Sequence, residues 1–270
     1  MGKRFLGVGL LLVIIGGICF NSTSQPAIAP GESSSIPILM YHKVSPDPRA
    51  GGLGLRVPPR NFEIQMKLLS NLGYQSVNLD DVVAYLRDGR PLPDKPVVIT
   101  FDDGYRDNFY WARPILQKYG FRATIFLVSD QIGKTNAWDE SRGFPRNSLL
   151  REEEIRTMLG EGFQFGSHSK THLRLTGLEE SKAREQITGS RGALETTLGI
   201  PVNYFCYPYG KYNKAVVNIV RESGYTAALT TAQGQVRKGD NIFALKRIRI
   251  TGKYNKGDFL RLLNDTGEKL

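Results

Sequence analysis

The sequence predicts a single-domain α/β protein, a distorted parallel (β/α) barrel of about seven to eight strands. Three observations carry this expectation. One unit recurs five times, a helical-period segment followed by Gly, then an aromatic residue or Ile, then an apolar run: LGYQSVNL, YGFRATIFLV, EGFQFGS, LGIPVNYFCY and SGYTAALTT. Three further apolar runs, IPILMYH, KPVVITF and FALKRIRI, bring the strands to about eight. No glycine-rich phosphate loop follows any of them, so the rival open doubly wound sheet lacks its commonest use, nucleotide binding.

Taken in order, residues 1–24 stand apart. Lys3 and Arg4 precede a charge-free, largely apolar run over residues 5–20, followed by the polar NSTSQ. This is the pattern of an export signal or an N-terminal membrane anchor. Ala27 and Ala29 form an A-x-A, but Pro30 is a poor residue after a cleavage point, so both fates stay open. Ile18 stands where a small residue would precede a lipidated Cys19, which argues against lipidation. Residues 25–35, rich in Pro, Ala, Gly and Ser, read as a flexible tether, and residues 36–270 as the folded domain. The expected location is extracytoplasmic, either secreted or anchored to the cytoplasmic membrane and facing the cell wall or periplasm. Cys19 and Cys206 are the two cysteines, and one lies in the export segment, so no disulfide is expected inside the domain.

Each repeated unit has a physical reading: a glycine that tolerates positive φ closes a helix and feeds the chain into a buried strand. Phe62, Met66, Leu69 and Leu72 recur at helical spacing ahead of the first such glycine, and Ile115 and Leu116 lie between Trp111 and Tyr119 ahead of the second. The 36 Lys and Arg against 26 Asp and Glu give a net charge of +10, which suits anionic polymers or membrane surfaces without choosing between them. The densest basic stretch, KRIRITGKYNK, carries no nucleic-acid motif. Neither a nucleic acid nor an obligate protein partner is expected.

In a parallel barrel the C-terminal strand ends open on one face, where an active site is assembled from several strands. The polar residues that close the apolar runs are His42, the pair Asp102 and Asp103, His168 and His172, and Tyr209 with Gly210. All three histidines of the chain fall at such ends. His168 and His172 are four apart, so one helical turn after the strand would bring both imidazoles to one side. With one carboxylate from Asp102 or Asp103 they would make a site for a divalent ion, and the second acid would stand beside a water that the ion activates, ready to take its proton. Zinc suits two imidazoles and a carboxylate; Co2+, Ni2+ or Fe2+ would also fit.

The motifs TFDDGY, HSKTH and FCYPYG, in that order, resemble those of the NodB-homology polysaccharide deacetylases, carbohydrate esterase family 4. The resemblance runs from Ile36 to about Leu263 and takes in the ILMYHKV opening and the ATIFLV strand. It implies metal-dependent hydrolysis of acetyl groups, usually from N-acetylglucosamine in an acetylated polysaccharide. By matched position it makes Asp102 the base and Asp103, His168 and His172 the metal ligands, with the Tyr209 N–H at the oxyanion. Two departures follow. Cys206 replaces the arginine usual in the third motif, for which Arg247 is the substitute candidate, and no histidine follows His172, which leaves His42 as the general acid. Both resemble the exported poly-N-acetylglucosamine deacetylase branch. Trp138, in a long loop, is a candidate for stacking on sugar. The reaction classes to separate are N-deacetylation, O-acetyl ester cleavage, glycan binding without catalysis, and non-haem iron oxygenation, which uses a similar ligand set.

Overall fold

The computed structural model describes Met1, Gly2 and residues 35–264, and the described residues from 35 on belong to one compact unit spanning residues 33–270. The expected export segment, and the tether up to residue 34, lie outside the described residues.

The chain runs β1 (Ile38–Tyr41), β2 (Lys43–Val44), β3 (Arg56–Val57), α1 (Pro59–Asn71), β4 (Gln75–Ser76), α2 (Leu79–Asp88) and β5 (Pro96–Phe101). It continues through α3 (Arg113–Lys118), β6 (Thr124–Leu127), α4 (Glu152–Gly160), β7 (Gln164–Ser167), α5 (Glu180–Leu198), β8 (Tyr204–Cys206), α6 (Lys214–Glu222), β9 (Ala227–Gln233), β10 (Leu245–Arg249) and α7 (Lys256–Asn264). Among the described residues, seven parallel strands close a barrel in the order β1-β10-β9-β8-β7-β6-β5, with β1 pairing β5 to complete the ring. β4 adds an eighth strand outside β5, and β2 pairs with β3 separately.

Strand parity sorts the core into two layers, because alternate residues face opposite sides of a sheet. Leu39, Tyr41, Ile99, Phe101, Ile125, Phe165 and Phe205 pack outward in one cluster with Phe62, Met66 and Leu69 of α1 and Ile187 of α5. Ile38, Val98, Phe126, Tyr204, Ala227 and Leu245 form the second, inner cluster. Gly166 shows how tight that interior is: a Cβ there would lie 2.6 Å from the Phe126 ring and 2.9 Å from the Tyr204 carbonyl oxygen.

Two expectations are corrected. The LGYQSVNL run does not make a buried strand: β4 is two residues long, with Gln75 exposed and Ser76 half-buried, because it pairs on one side alone, outside the closed ring. Leu72, grouped by spacing with the buried Phe62, Met66 and Leu69, is 37% exposed, since α1 ends at Asn71 and Leu72 is the residue at its C-cap.

Under β2, the Val44 amide donates to Asp107 Oδ1 at 3.2 Å. Burial pushes the Asp107 carboxyl up to about 7, with that hydrogen bond and the Lys43 ammonium opposing it only in part. The folded state therefore holds the proton across the window from the ordinary carboxylate value of about 3.9 up to about 7, and stability falls as pH rises through it. Asp107→Asn keeps an acceptor for Val44 without the charge. It is expected to match the parent at pH 4 and to exceed it at pH 7.5 by about 1–2 kcal/mol in urea unfolding; equal pH slopes would count against this. Gly166→Ala is expected to lose about 2–3 kcal/mol by the same assay through overpacking of the barrel interior.

Candidate active site

Parity carries several of the sequence-selected residues to the barrel mouth. Asp102 continues the inward series Val98, Thr100; His168 follows Gly166; His42 follows Ile38 and Met40. The register is pinned by the Asp102 amide on Tyr41 O at 3.0 Å and the His168 amide on Leu127 O at 2.7 Å. Asp103 falls on the wrong parity, and a left-handed backbone (φ 73°) followed by Gly104 (φ 69°) turns the chain at this point. Aspartate tolerates this conformation better than most residues, and the following glycine adopts it without steric cost.

The expected helical turn between His168 and His172 is absent. Residues 168–172 are a non-helical loop kinked at Ser169 (φ 66°) and His172 (φ 61°). The kinks are held by side chains: Ser169 Oγ accepts from the His172 amide at 3.0 Å, and Gln186 of α5 accepts from the Thr171 amide at 3.0 Å. The imidazoles still meet, 4.8 Å between ring centroids.

Three ligand-type atoms converge here. His168 Nε2 lies 3.4 Å and His172 Nε2 3.2 Å from Asp103 Oδ1. All three residues are buried, yet Asp103 Oδ1 has no hydrogen-bond partner. His168 Nδ1 lies 2.7 Å from the Cys206 carbonyl oxygen. A carbonyl can only accept, so that nitrogen carries a proton, and in the neutral imidazole Nε2 turns its lone pair toward Asp103. With the imidazoles neutral, ligand atoms so placed fit a divalent cation held by Asp103, His168 and His172.

Beside this cluster Asp102 is clamped by Arg247, which is wholly buried. Arg247 Nη1 and Nη2 donate to the two Asp102 oxygens at 2.7 Å each. Nη1 also reaches Thr100 Oγ1 at 3.1 Å, Nη2 reaches Cys206 Sγ at 3.1 Å, and Nε donates to Thr230 O at 2.8 Å. That carbonyl is freed by an irregularity in the β9–β10 register, where Leu245 opposes Leu229 but Arg247 opposes Gln233. Burial works to raise the Asp102 pKa, but Arg247 outweighs it and holds the carboxyl below its ordinary value. His42 Nε2 lies 3.9 Å from Asp102 Oδ2. Burial lowers the His42 pKa, with Asp102 and Asp103 opposing and Arg247 and Arg249 adding to the shift.

His42, Asp102, Asp103, Trp138, His168, His172 and Tyr209 line one cleft of about 400 Å³, while Arg247 lies beneath it. Trp138 stacks on His172 with centroids 4.7 Å apart and planes 28° apart, and Tyr209, left-handed at φ 59°, meets the same ring edge-on at 4.7 Å. Lys43, Asp139, Phe144, Thr231 and Arg249 also line the cleft and escaped the sequence reading. Adjacency to His42 and Trp138 was the one available signal for Lys43 and Asp139. An acid in a loop is ordinarily solvated, whereas Asp139 is buried and accepts from Asn136 Nδ2 at 3.1 Å.

Comparison with known proteins adds to this geometry. The polysaccharide deacetylase family profile matches residues 89–228, just over half the chain. YxkH of Bacillus subtilis (strain 168), itself assigned to the polysaccharide deacetylases, is 33% identical over 218 residues, 81% of this chain and 72% of that protein. The poly-beta-1,6-N-acetyl-D-glucosamine N-deacetylase of Staphylococcus aureus (strain MRSA252) is 24% identical over 72% of this chain and 68% of its own length. Among solved structures, the Streptococcus pyogenes deacetylase PplD in complex with acetate superposes with a TM-score of 0.74 at 27% identity, over 85% of this chain and 98% of that one. IcaB from Ammonifex degensii gives 0.73 at 25% identity, over 85% and 96%. A parallel barrel with an Asp-Asp-Gly turn, two facing histidines and these relatives places the chain in one family: it belongs to the polysaccharide deacetylases and is a hydrolase of amide-linked acetyl groups.

Proposed function

We propose that the chain removes N-acetyl groups from a GlcNAc-containing polysaccharide of the cell envelope, an exopolysaccharide or peptidoglycan, in a metal-dependent hydrolysis. The observation that carries this reading is a carboxylate held ionised by a bidentate guanidinium immediately beside a buried Asp-His-His set with converging lone pairs. The poly-N-acetylglucosamine deacetylase among the relatives supports the substrate class. The apolar run of residues 5–20 supports an extracytoplasmic location, with residues 1–24 acting as signal or anchor and residues 36–270 as the catalytic domain.

Asp103, His168 and His172 would hold the cation, with zinc first by donor set. When bound, such an ion polarises an acyl carbonyl and makes a nearby water more acidic. Asp102 accepts the proton of the attacking water, and the Arg247 fork fixes its carboxylate plane so that little motion is needed. The Tyr209 N–H donates to the developing oxyanion. Breaking the C–N bond requires a proton on nitrogen, and His42, at the same mouth, supplies it from its protonated form; its lowered pKa makes that form a stronger acid but the minor one at neutral pH, and the products are acetate and an amine. Trp138 offers an aromatic face beside His172 for the sugar ring.

Acetate release from poly-N-acetylglucosamine and peptidoglycan is expected to stop on chelation and return with zinc. Asp102→Asn should lower kcat about 10³-fold. His42→Ala should suppress amide cleavage by about 100-fold while sparing an activated acetyl ester. Release indifferent to both chelation and Asp102→Asn would overturn the mechanism, and turnover of O-acetyl esters alone would favour the esterase. Glycan binding without any release would favour a non-catalytic binder, and oxygen-dependent turnover an oxygenase. For Arg247→Lys, which keeps the charge but loses the fork, kcat is expected to fall at least about tenfold. The acid limb of its pH–rate profile should move to higher pH, because a weaker partner lets the Asp102 pKa rise. An unmoved limb would argue that Arg247 does not govern the base.

A further inference from the structure

A second cavity, of about 700 Å³, lies on the same rim of the barrel and is not used by the mechanism above. Its walls are the loops that follow β1, β5 and β6, so it opens at the C-terminal strand ends, as the catalytic cleft does. The two cavities share continuous chain. Ser45, Asp47, Arg49 and Ala50 contribute to the second while Gly51, Gly52, Gly54 and Leu55 line the cleft; Phe144 lines the cleft and Pro145 begins the wall of the other. Lys43, a residue of the cleft, donates to the Ala50 carbonyl at 2.8 Å and so braces the partition.

The lining has the chemistry of saccharide recognition. Tyr110 and Trp111 stand 53% and 43% exposed on a π-helical turn, Asn108–Ala112, where the widened helix carries both rings outward. Large aromatic residues exposed side by side on the rim of a cavity suit the apolar face of a pyranose. The Tyr110 ring is rigid: its hydroxyl donates to Glu154 Oε1 at 3.0 Å and accepts from Arg106 Nη2 at 2.8 Å, and the Arg106 guanidinium covers the ring at 5.2 Å. Arg49, Arg106 and Arg146 bring guanidinium donors, each already ion-paired, to Asp47, Glu154 and Glu140 respectively. Their charges are thereby balanced, and the Asp107 carboxyl in the same wall is held protonated up to about pH 7 by burial; N–H groups remain to meet hydroxyl and acetyl oxygens, which favours an uncharged sugar over an ammonium-bearing one up to that pH.

We propose that this cavity is a remote subsite for uncharged N-acetylhexosamine units of the same polymer whose acetyl group sits in the catalytic cleft. The proposal rests on the polysaccharide reading above. It makes the enzyme length-dependent, with a chain long enough to cross the partition engaging both cavities and a short one engaging the cleft alone. Two linked contacts on one ligand strengthen binding without altering the chemical step.

The test is Trp111→Ala, with Arg146→Ala as a second exposed variant, compared with the parent on N-acetylglucosamine oligomers of increasing length and on an activated acetyl ester. Affinity for the longest oligomer is measured separately in the Asp102→Asn background. We expect kcat/KM on long oligomers to fall about tenfold, equivalent to about 1.4 kcal/mol, mainly through KM. Dimers and the ester should be unaffected, and a partly deacetylated long oligomer should lose less. Equal losses on long and short substrates, or no loss on either, would overturn the subsite. If the parent binds long oligomers in a Trp111-dependent way yet releases no acetate, the subsite stands and the deacetylase reading fails. If acetate is released with no Trp111 dependence, the reverse holds.

Discussion

The structure turns on one buried ion pair, Arg247 with Asp102, set across the inside of a closed barrel. Removing one partner from such a pair costs about 3–5 kcal/mol because the other charge is left uncompensated in a medium that solvates it poorly. Here the cost of burial is offset by geometry. Both carboxylate oxygens accept from the guanidinium, and its remaining donors reach Thr100, Cys206 and Thr230. Four strands, β5, β8, β9 and β10, are thus tied through a single side chain. The same contacts hold the carboxylate ionised at the mouth, so a fold-stabilising interaction coincides with what the proposed mechanism asks of its base.

The small Cys206 matters to this arrangement. Its Sγ lies 3.6 Å from Asp102 Oδ1 and 3.1 Å from Arg247 Nη2, so the position where the family usually has an arginine is filled by a compact, polarisable atom. That leaves room for a guanidinium to arrive from β10 on the far side. In the proposed mechanism the base is therefore oriented by a guanidinium that comes from another strand.

Backbone strain is concentrated at the same place. Among the described residues, the non-glycine positions with positive φ are Asp103, Ser169, His172 and Tyr209. Three of them line the cleft and the fourth, Ser169, holds the loop between the two histidines. Left-handed conformations of this kind cost of order 1–2 kcal/mol each for residues with a Cβ. They persist because strand hydrogen bonds, the Ser169 hydroxyl and the Gln186 amide over-determine the loops.

Strand order of apolar runs, helix-closing glycines and strand-end polar residues are local patterns, and they made the barrel and the set His42, Asp102, Asp103, His168 and His172 legible directly. A run of alternating β residues must bury one face, and a polar group at its end must meet the mouth of whatever the strands enclose. The geometry between His168 and His172 was not legible, because spacing four fits a helix and the kinks at Ser169 and His172 depend on the Ser169 hydroxyl within the loop and on Gln186 of α5. Arg247 is the sharper case. In sequence the resemblance names it only as a candidate for the missing third-motif arginine, and local pattern does not separate it from the other basic residues of KRIRITGKYNK. Inward parity, the irregular β9–β10 register and the space beside Cys206 put it in the barrel interior with Asp102, 145 residues away in the chain. The sequence by itself determined which residues end at the mouth, through hydrophobic periodicity. Only the tertiary structure decided which charges meet beneath it, because desolvation and hydrogen-bond satisfaction belong to the closed barrel and to no segment of the chain alone.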